Sequence, residues 1–168
     1  ELVLEKVNVR NIETVDTLKV VNDQAFFDYK VLETGVYRIR NQALRSAFLI
    51  LDSNAHTTLE VNLDSNLSVS TSEMTYPMVN ELNQMLYQQI QVELEIKDQY
   101  EIAKQNHESE SVYQSFNQRY ELSKINFKRD LEKLIATDSS SYSSLLLISW
   151  FSFFDDFELY QSVFKNLE

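Results

Sequence analysis

The chain has 168 residues, with a single glycine, a single proline and no cysteine. Without cysteine it has no disulfide framework, no thiolate metal site and no redox Cys-x-x-Cys pair. One glycine, Gly35, is too few for a Walker phosphate loop, a dinucleotide-binding fingerprint or a nucleophile elbow, because each needs at least two. A formal net charge of −11 argues against nucleic acid or an anionic membrane surface as a general partner, because phosphates are bound by concentrated positive charge.

Residues 1–72 have the pattern of an antiparallel β-sheet. Apolar and polar residues alternate with a period of two, most clearly from Val36 to Arg40. Ala47–Leu51 is apolar on both faces, which predicts a central strand. Short polar stretches separate these segments and are typical of turns. We therefore predict about seven strands, forming a sheet or sandwich, at Leu2–Val7, Thr14–Val21, Ala25–Val31, Val36–Arg40, Ala47–Leu51, Thr57–Leu63 and Leu67–Val69.

The hydrophobic period changes to 3.6 residues in the second part of the chain. Pro77 suits the first turn of a helix, and apolar residues recur three and four positions apart over Val79–Leu94. The pattern breaks near Asn106–Ser109, and a second apolar stripe covers Val112–Leu134. Because the connection is short, the two helices are expected to form a long antiparallel hairpin.

Two shorter helices are predicted after the hairpin. Short polar side chains at Asp138–Ser141 and at Asp155–Asp156 can accept the free N–H groups of a helix start, so each cluster is expected to cap one helix. The predicted fold class is therefore α+β. It has an antiparallel β subdomain at residues 1–72 and a helical subdomain at residues 73–168, packed together as one structural unit.

Few side chains suggest catalysis. The histidines, His56 and His107, have no ligand-spaced partner, so both are interpreted as solvated turn residues. Asp155 and Asp156 could form a cation site or an acid pair, but adjacent carboxylates at a helix start more often cap it. The serine run at residues 139–144 has no neighbouring base. We therefore predict no catalytic residue, no cofactor-binding residue, no metal ligand and no cofactor.

Six short motifs follow one another in an order that resembles a known domain. They are Val15–Leu18, Ala25–Phe27, Gly35–Ile39, Phe48–Ser53, Leu134–Leu145 and Asp156–Tyr160. In this order they resemble the N-terminal β-domain, and the helical region after it, of envelope thioredoxin-like proteins from Bacteroidetes bacteria. The chain departs from that family at two turn glycines, replaced here by Gln24 and Asn54, and at an Asn-Pro pair, replaced by Thr137–Asp138.

The resemblance implies a non-catalytic accessory domain of a thiol–disulfide oxidoreductase. In such proteins a lipoprotein or secretion signal and an opening strand come first, and a thioredoxin-fold domain with Cys-x-x-Cys comes last. The signal, the opening strand and the thioredoxin-fold domain are therefore all expected outside Glu1–Glu168. The implied location is the cell envelope or periplasm, with a lipid anchor in the preceding segment. The implied partner is the C-terminal thioredoxin-like domain of the same parent protein.

The helical hairpin is the predicted contact surface, because a second apolar stripe lies beside the main one. This second stripe consists of Met78, Met85, Val92 and Ile96. Its expected role is to position the redox domain, bind client protein or form a homodimer. The alternative is a stand-alone envelope binding or structural module with no redox role. An enzyme such as a hydrolase is a weaker hypothesis, since no base–nucleophile pair is visible. No nucleic acid partner is expected, and no apolar run is long enough for a membrane-spanning helix.

Overall fold

The computed structural model describes residues 1–8, 11–18, 20, 30–41, 46–53, 59–62, 68–71, 77–138 and 142–167. The chain divides into two compact units, Glu1–Asn83 and Gln84–Glu168. The strands are β1 (Leu2–Val7), β2 (Ile12–Leu18), β3 (Gly35–Asn41), β4 (Ser46–Leu51), β5 (Leu59–Asn62) and β6 (Ser68–Thr71). The helices are α1 (Pro77–Gln105), α2 (Glu110–Thr137), α3 (Tyr142–Leu147) and α4 (Phe157–Leu167), with a 3₁₀ turn at Ile148–Trp150.

Strands β1 to β4 form one antiparallel sheet in the order β2-β1-β3-β4. Leu4 of β1 lies opposite Ile39 of β3, which in turn lies opposite Ala47 of β4. The register between β1 and β2 shifts between Leu4 and Glu5, as at a β-bulge. Strands β5 and β6 pair with each other as a separate two-stranded antiparallel sheet.

The core of the first unit lies on one face of the four-stranded sheet. Successive strand residues point to opposite faces, so alternate residues of β1, β3 and β4 form this core. They are Leu2, Leu4, Tyr37, Ile39, Ala47, Leu49 and Leu51, while Glu5 and Ile50 are buried as well. A fully buried side chain of this size contributes about 1.5–3 kcal/mol of burial free energy, so the sheet is stabilised mainly from this face.

The outer edge of β4 is covered by a side chain of α1. The N–H of Phe48 donates to Oδ1 of Asn83 at 2.8 Å, and Nδ2 of Asn83 donates to the carbonyl of Phe48 at 2.7 Å. The amide thus makes the two hydrogen bonds that a neighbouring strand would make. It satisfies backbone groups at a sheet edge that would otherwise be open to another chain.

The α+β class is confirmed, since the described residues form antiparallel sheets and four α-helices. The count of about seven strands in one sheet or sandwich is wrong: the described residues form six strands, and only four of them share the main sheet. In the third predicted strand, residues 25–29 lie outside the described residues, and Lys30 and Val31 belong to no strand. Alternating hydrophobicity indicates which face of a segment is apolar, but not its hydrogen-bonding partner.

Helices α1 and α2 run in opposite directions in the second unit. The residue numbers of their contacts rise along α1 as they fall along α2: Gln89 with Ser123, Gln99 with Arg119, and Ala103 with Tyr113. The predicted long hairpin, with both apolar stripes buried against each other, is nevertheless not matched. Ile90, Leu94 and Tyr120, from the middle of the stripes, are 44%, 42% and 36% exposed.

The buried residues of the second unit explain this difference. They concentrate at the end of α2 and in the segments after it: Leu131, Leu134, Ile135, Leu146, Leu147, Ile148, Phe151 and Val163. Val79 and Leu82, at the start of the α1 stripe, are buried in the first unit. The α1 stripe is therefore shared between two units, and its central part stays accessible.

Candidate interaction surfaces

The residues that sequence analysis considered for chemistry do not come together in the part of the chain that the structure describes. His56 lies outside the described residues, and His107 is exposed in the turn that ends α1. Among the described residues, no group of three or more His, Cys, Asp or Glu side chains could hold a metal ion.

Asp156 holds the segment that leads into α4. Its carboxylate accepts hydrogen bonds from Nζ of Lys128 at 2.7 and 2.9 Å and from the N–H of Ser152 at 3.0 Å. The hydrogen bond to Asp156 raises the pKa of Lys128 above its ordinary value of 10.5, against the opposite effect of desolvation. The carboxylate therefore anchors the start of α4 to α2, while Asp155 beside it is exposed.

The serine run closes the connection between α2 and α3. Residues 139–141 lie outside the described residues, but Ser143 and Ser144 are buried. Oγ of Ser144 donates to the carbonyl of Asp138 at 2.6 Å. The buried hydroxyl of Ser144 is therefore engaged in a hydrogen bond to the backbone. Such a bond is a common structural use of serine near a helix end.

An ion cluster that sequence analysis missed lies on the sheet face opposite the core. The carboxylate of Glu5, only 5% exposed, accepts hydrogen bonds from Arg38 and Arg40 of β3. Burial raises the pKa of Glu5, but the hydrogen bonds and charges of the two arginines outweigh it and hold the pKa below its ordinary value of 4.5. Because the carboxylate pairs with both guanidinium groups, the cluster ties β1 to β3.

Between α1 and α2 a groove of about 410 Å³ opens on the second unit; we call it the helix groove. Its apolar lining residues are Ile90, Leu94, Ile96, Tyr100, Phe116 and Tyr120, and its polar ones are Glu93, Lys97 and Asn117. Tyr100 and Phe116 meet edge to face, with ring centroids 6.1 Å apart. Large apolar side chains left exposed together are typical of an interaction surface.

The second apolar stripe predicted as a contact surface is divided by the fold. Met78 and Ile96 are buried, Met85 is half-buried, and Val92 is 40% exposed. Glu95, next to Ile96, is exposed, and its Oε1 lies 3.8 Å from a guanidinium nitrogen of Arg119 on α2. Of the second stripe, Ile96 lines the helix groove, whose exposed apolar residues on α1, Ile90 and Leu94, belong to the main stripe.

A second apolar surface surrounds the start of α4; we call it the aromatic face. Its rings contact one another edge to face around Phe153, whose centroid lies 5.7 Å from Phe154, 5.5 Å from Phe157 and 5.2 Å from Tyr160. Phe164 completes the face, 6.4 Å from Tyr160. Edge-to-face contact is a favoured geometry of such rings, so these contacts stabilise the arrangement around Phe153.

Backbone contacts fix the aromatic face in place. The hydroxyl of Tyr160 donates to the carbonyls of Ile148 and Phe151, each 3.1 Å away. Val163 is fully buried and anchors the opposite side of α4. Sequence analysis placed Phe157, Tyr160 and Phe164 on the last helix, but it did not foresee that the phenylalanines would be exposed and Val163 buried.

No helix in the described part of the chain is both long and apolar enough to cross a lipid bilayer. Comparisons with protein-family models, with curated proteins and with solved structures find no match. The helix groove and the aromatic face are the features of the described residues from which a function can be proposed.

Proposed function

We propose that this chain is a non-catalytic accessory domain of a cell-envelope thioredoxin-like thiol–disulfide oxidoreductase, and that it holds client protein for the redox domain. The motif order supports the parent class. The helix groove supports the holding role, because it keeps Ile90, Leu94 and Tyr120 exposed side by side in one concave site. The parent's location is the cell envelope or periplasm, with a lipid anchor in a preceding segment.

The occupant that we propose for the helix groove is an extended, non-native segment of a client. A groove of about 410 Å³ has the size of a site for one or two large side chains rather than for the surface of a folded domain. Glu93 and Lys97 stand among the apolar lining residues, so a client charge of either sign finds a partner. Such a surface suits clients of varied sequence, as a general redox enzyme requires.

The parent class is tested by the reading frame beyond Glu168. We expect a thioredoxin-fold domain with a Cys-x-x-Cys motif to follow, because the proteins that the motif order resembles carry one after this region. A stop codon there contradicts the parent class and favours the alternative, a stand-alone envelope binding or structural module. The same groove would then serve that module.

The holding role is tested on the full-length parent with two disulfide substrates. Leu94→Gln places a polar amide in the helix groove. We expect it to lower kcat/KM for reduction of insulin about three- to tenfold, since an apolar contact with the client is lost. Reduction of a small aromatic disulfide, which does not need the groove, should be unchanged.

The matched control is Ile125→Gln, at a residue of α2 that is 62% exposed and does not line the groove. It should leave both rates unchanged. If Leu94→Gln lowers both rates equally, the groove positions the redox domain instead. If Leu94→Gln lowers neither, the groove holds no client. The predicted homodimer through the hairpin stays a prediction that needs a separate measurement of mass.

A further inference from the structure

The aromatic face carries a sequence pattern that repeats seven residues apart along α4. Phe157 and Phe164 are separated by seven residues, and so are Glu158 and Lys165. Seven residues are close to two helical turns, so each pair lies on one side of the same helix face. All four residues line one open groove of about 670 Å³, and Gln161 lies midway between them.

We propose that α4 pairs antiparallel with α4 of a second copy of this chain, across a two-fold axis beside Gln161. In this arrangement Phe157 of one copy packs against Phe164 of the other, and Glu158 of one faces Lys165 of the other. A two-fold interface uses the same surface on both copies, so each of these contacts occurs twice.

The antiparallel direction follows from the geometry of the helix face. The two-fold axis of an antiparallel pair is perpendicular to both helices and lies in the plane of the interface. The side of α4 that carries Phe157 and Phe164 therefore meets the same side of the second copy. The side that carries Glu158 and Lys165 likewise meets its own counterpart. In a parallel pair the two-fold axis runs along the helices, so Phe157 faces the side of the second copy that carries Glu158 and Lys165. The antiparallel pair also places opposite ends of the two helix dipoles together.

The exposed aromatic area is sufficient for a weak, specific interface. Phe153, Phe154, Phe157 and Phe164 are 49%, 90%, 47% and 53% exposed. With about 200 Å² for each phenylalanine side chain, these fractions leave roughly 500 Å² of aromatic surface on each copy. Complete burial of all four rings in both copies, including Phe154 outside the groove, covers at most about 1,000 Å², the lower limit for a specific protein interface. Interfaces at this limit are typically weak, so we expect a dissociation constant in the micromolar range or above.

A second copy fits this face better than a strongly charged partner. The groove carries one acid and one base, at opposite ends, so its own charges cancel and a highly basic or acidic partner gains nothing there. Only a surface with the same two charges in reverse order complements both ends, and the chain itself supplies one. The proposal does not depend on client binding, since the helix groove consists of other residues.

Reversal of the paired charges tests the arrangement, with association measured by sedimentation equilibrium. Glu158→Lys places a lysine opposite Lys165 of the second copy, and Lys165→Glu places two acids together. Each change should weaken association about tenfold, because attraction becomes repulsion at two symmetric positions. The double variant, Glu158→Lys with Lys165→Glu, restores both contacts and should return to within about threefold of wild type.

Two further variants distinguish a specific loss of dimerisation from damage to the structure of α4. Glu110→Lys changes the net charge by the same two units as Glu158→Lys, but in the first turn of α2, away from the aromatic face, and should not weaken association. Phe157→Gln should weaken association more than tenfold while the far-UV circular dichroism stays unchanged. A double variant as weak as the single ones, or a wild type that stays monomeric at about 1 mM, overturns the proposal.

A cysteine reporter locates the axis, because the chain has no cysteine of its own. Gln161→Cys should give a covalent dimer on mild oxidation or with a short bismaleimide, since the two copies of this residue meet at the axis. Gln118→Cys, on the exposed surface of α2, is the matched control and should stay monomeric under the same conditions. Equal crosslinking of both variants would mean random collision and would overturn the proposed axis.

Discussion

At the residue scale, the backbone of His107 decides how α1 ends. Its φ of 54° lies in the left-handed region, which side chains with a Cβ adopt at a cost of about 1–2 kcal/mol. The N–H of Glu108 donates to the carbonyl of Ala103 at 3.1 Å, and the N–H of His107 donates to the carbonyl of Lys104 at 3.2 Å. These two hydrogen bonds form a Schellman motif, in which glycine is the usual residue at this position.

The substitution His107→Gly should therefore stabilise the second unit. Glycine removes the steric cost of the left-handed conformation but adds entropy to the unfolded chain, so the expected gain is about 0.5–1 kcal/mol. Urea denaturation followed by far-UV circular dichroism measures it. The control, His107→Ala, keeps a Cβ and should gain nothing. A loss of stability in the glycine variant would mean that the imidazole makes a contact of its own.

At the scale of elements, the side chain of Glu5 links strand β1 to strand β3, a pairing that the hydrophobic pattern alone does not specify. Its carboxylate bonds Arg38 and Arg40, both on the face of β3 that points away from the core. The neutral, similarly shaped substitution Glu5→Gln leaves two guanidinium groups without their counter-charge. We expect the free energy of unfolding at pH 7 to fall by about 2 kcal/mol, as for other partly buried ion pairs.

The same variant gives a prediction for pH. The pKa of Glu5 is lower in the folded chain than its ordinary value of 4.5, so the stabilisation is complete above that value and is lost as pH falls through the folded pKa. The stability difference between wild type and Glu5→Gln should stay constant from pH 7 to about pH 5 and then shrink.

The control for this prediction is Glu33→Gln. The Glu33 side chain is 73% exposed although it bonds Lys6, so its loss should change stability little at any pH. A Glu5→Gln difference that persists undiminished at about pH 2, where carboxylates are protonated, would contradict the role of charge.

At the scale of the whole molecule, the net charge of −11 opposes the association of two copies. The two exposed Glu158–Lys165 pairs of the proposed dimer are worth at most about 1 kcal/mol each. Repulsion between two chains of this charge acts over a longer range and is screened by salt, whose Debye length is about 10 Å at 0.1 M. The change in association with salt concentration should therefore come mainly from the screening of this repulsion.

We expect dimerisation to strengthen about three- to tenfold when salt is raised from about 20 mM to about 200 mM. Sedimentation equilibrium at the two concentrations measures this change. The double charge reversal keeps the net charge and should respond in the same way, whereas Glu110→Lys lowers the net negative charge and should respond less. Dissociation of the dimer by salt would mean that the ion pairs, rather than the aromatic rings, hold it together.

Much of the local structure could be predicted because it depends on neighbours in sequence. Pro77 begins α1, the pattern break near Asn106–Ser109 separates α1 from α2, and the alternation at Val36–Arg40 lies within β3. The absence of cysteine and the scarcity of glycine also excluded whole classes of chemistry without reference to the fold. These properties follow from backbone preferences and residue types alone.

What the chain exposes was decided only by its tertiary structure. Periodicity placed Ile90, Leu94 and Phe157 on apolar stripes, and a stripe of that kind is normally buried. Burial, however, depends on whether another element covers the stripe, and here the core of the second unit forms at the end of α2 and in α3 and α4 instead. The length, charge and composition therefore determined what chemistry this chain lacks, whereas long-range packing determined which apolar surfaces stay exposed on its described residues.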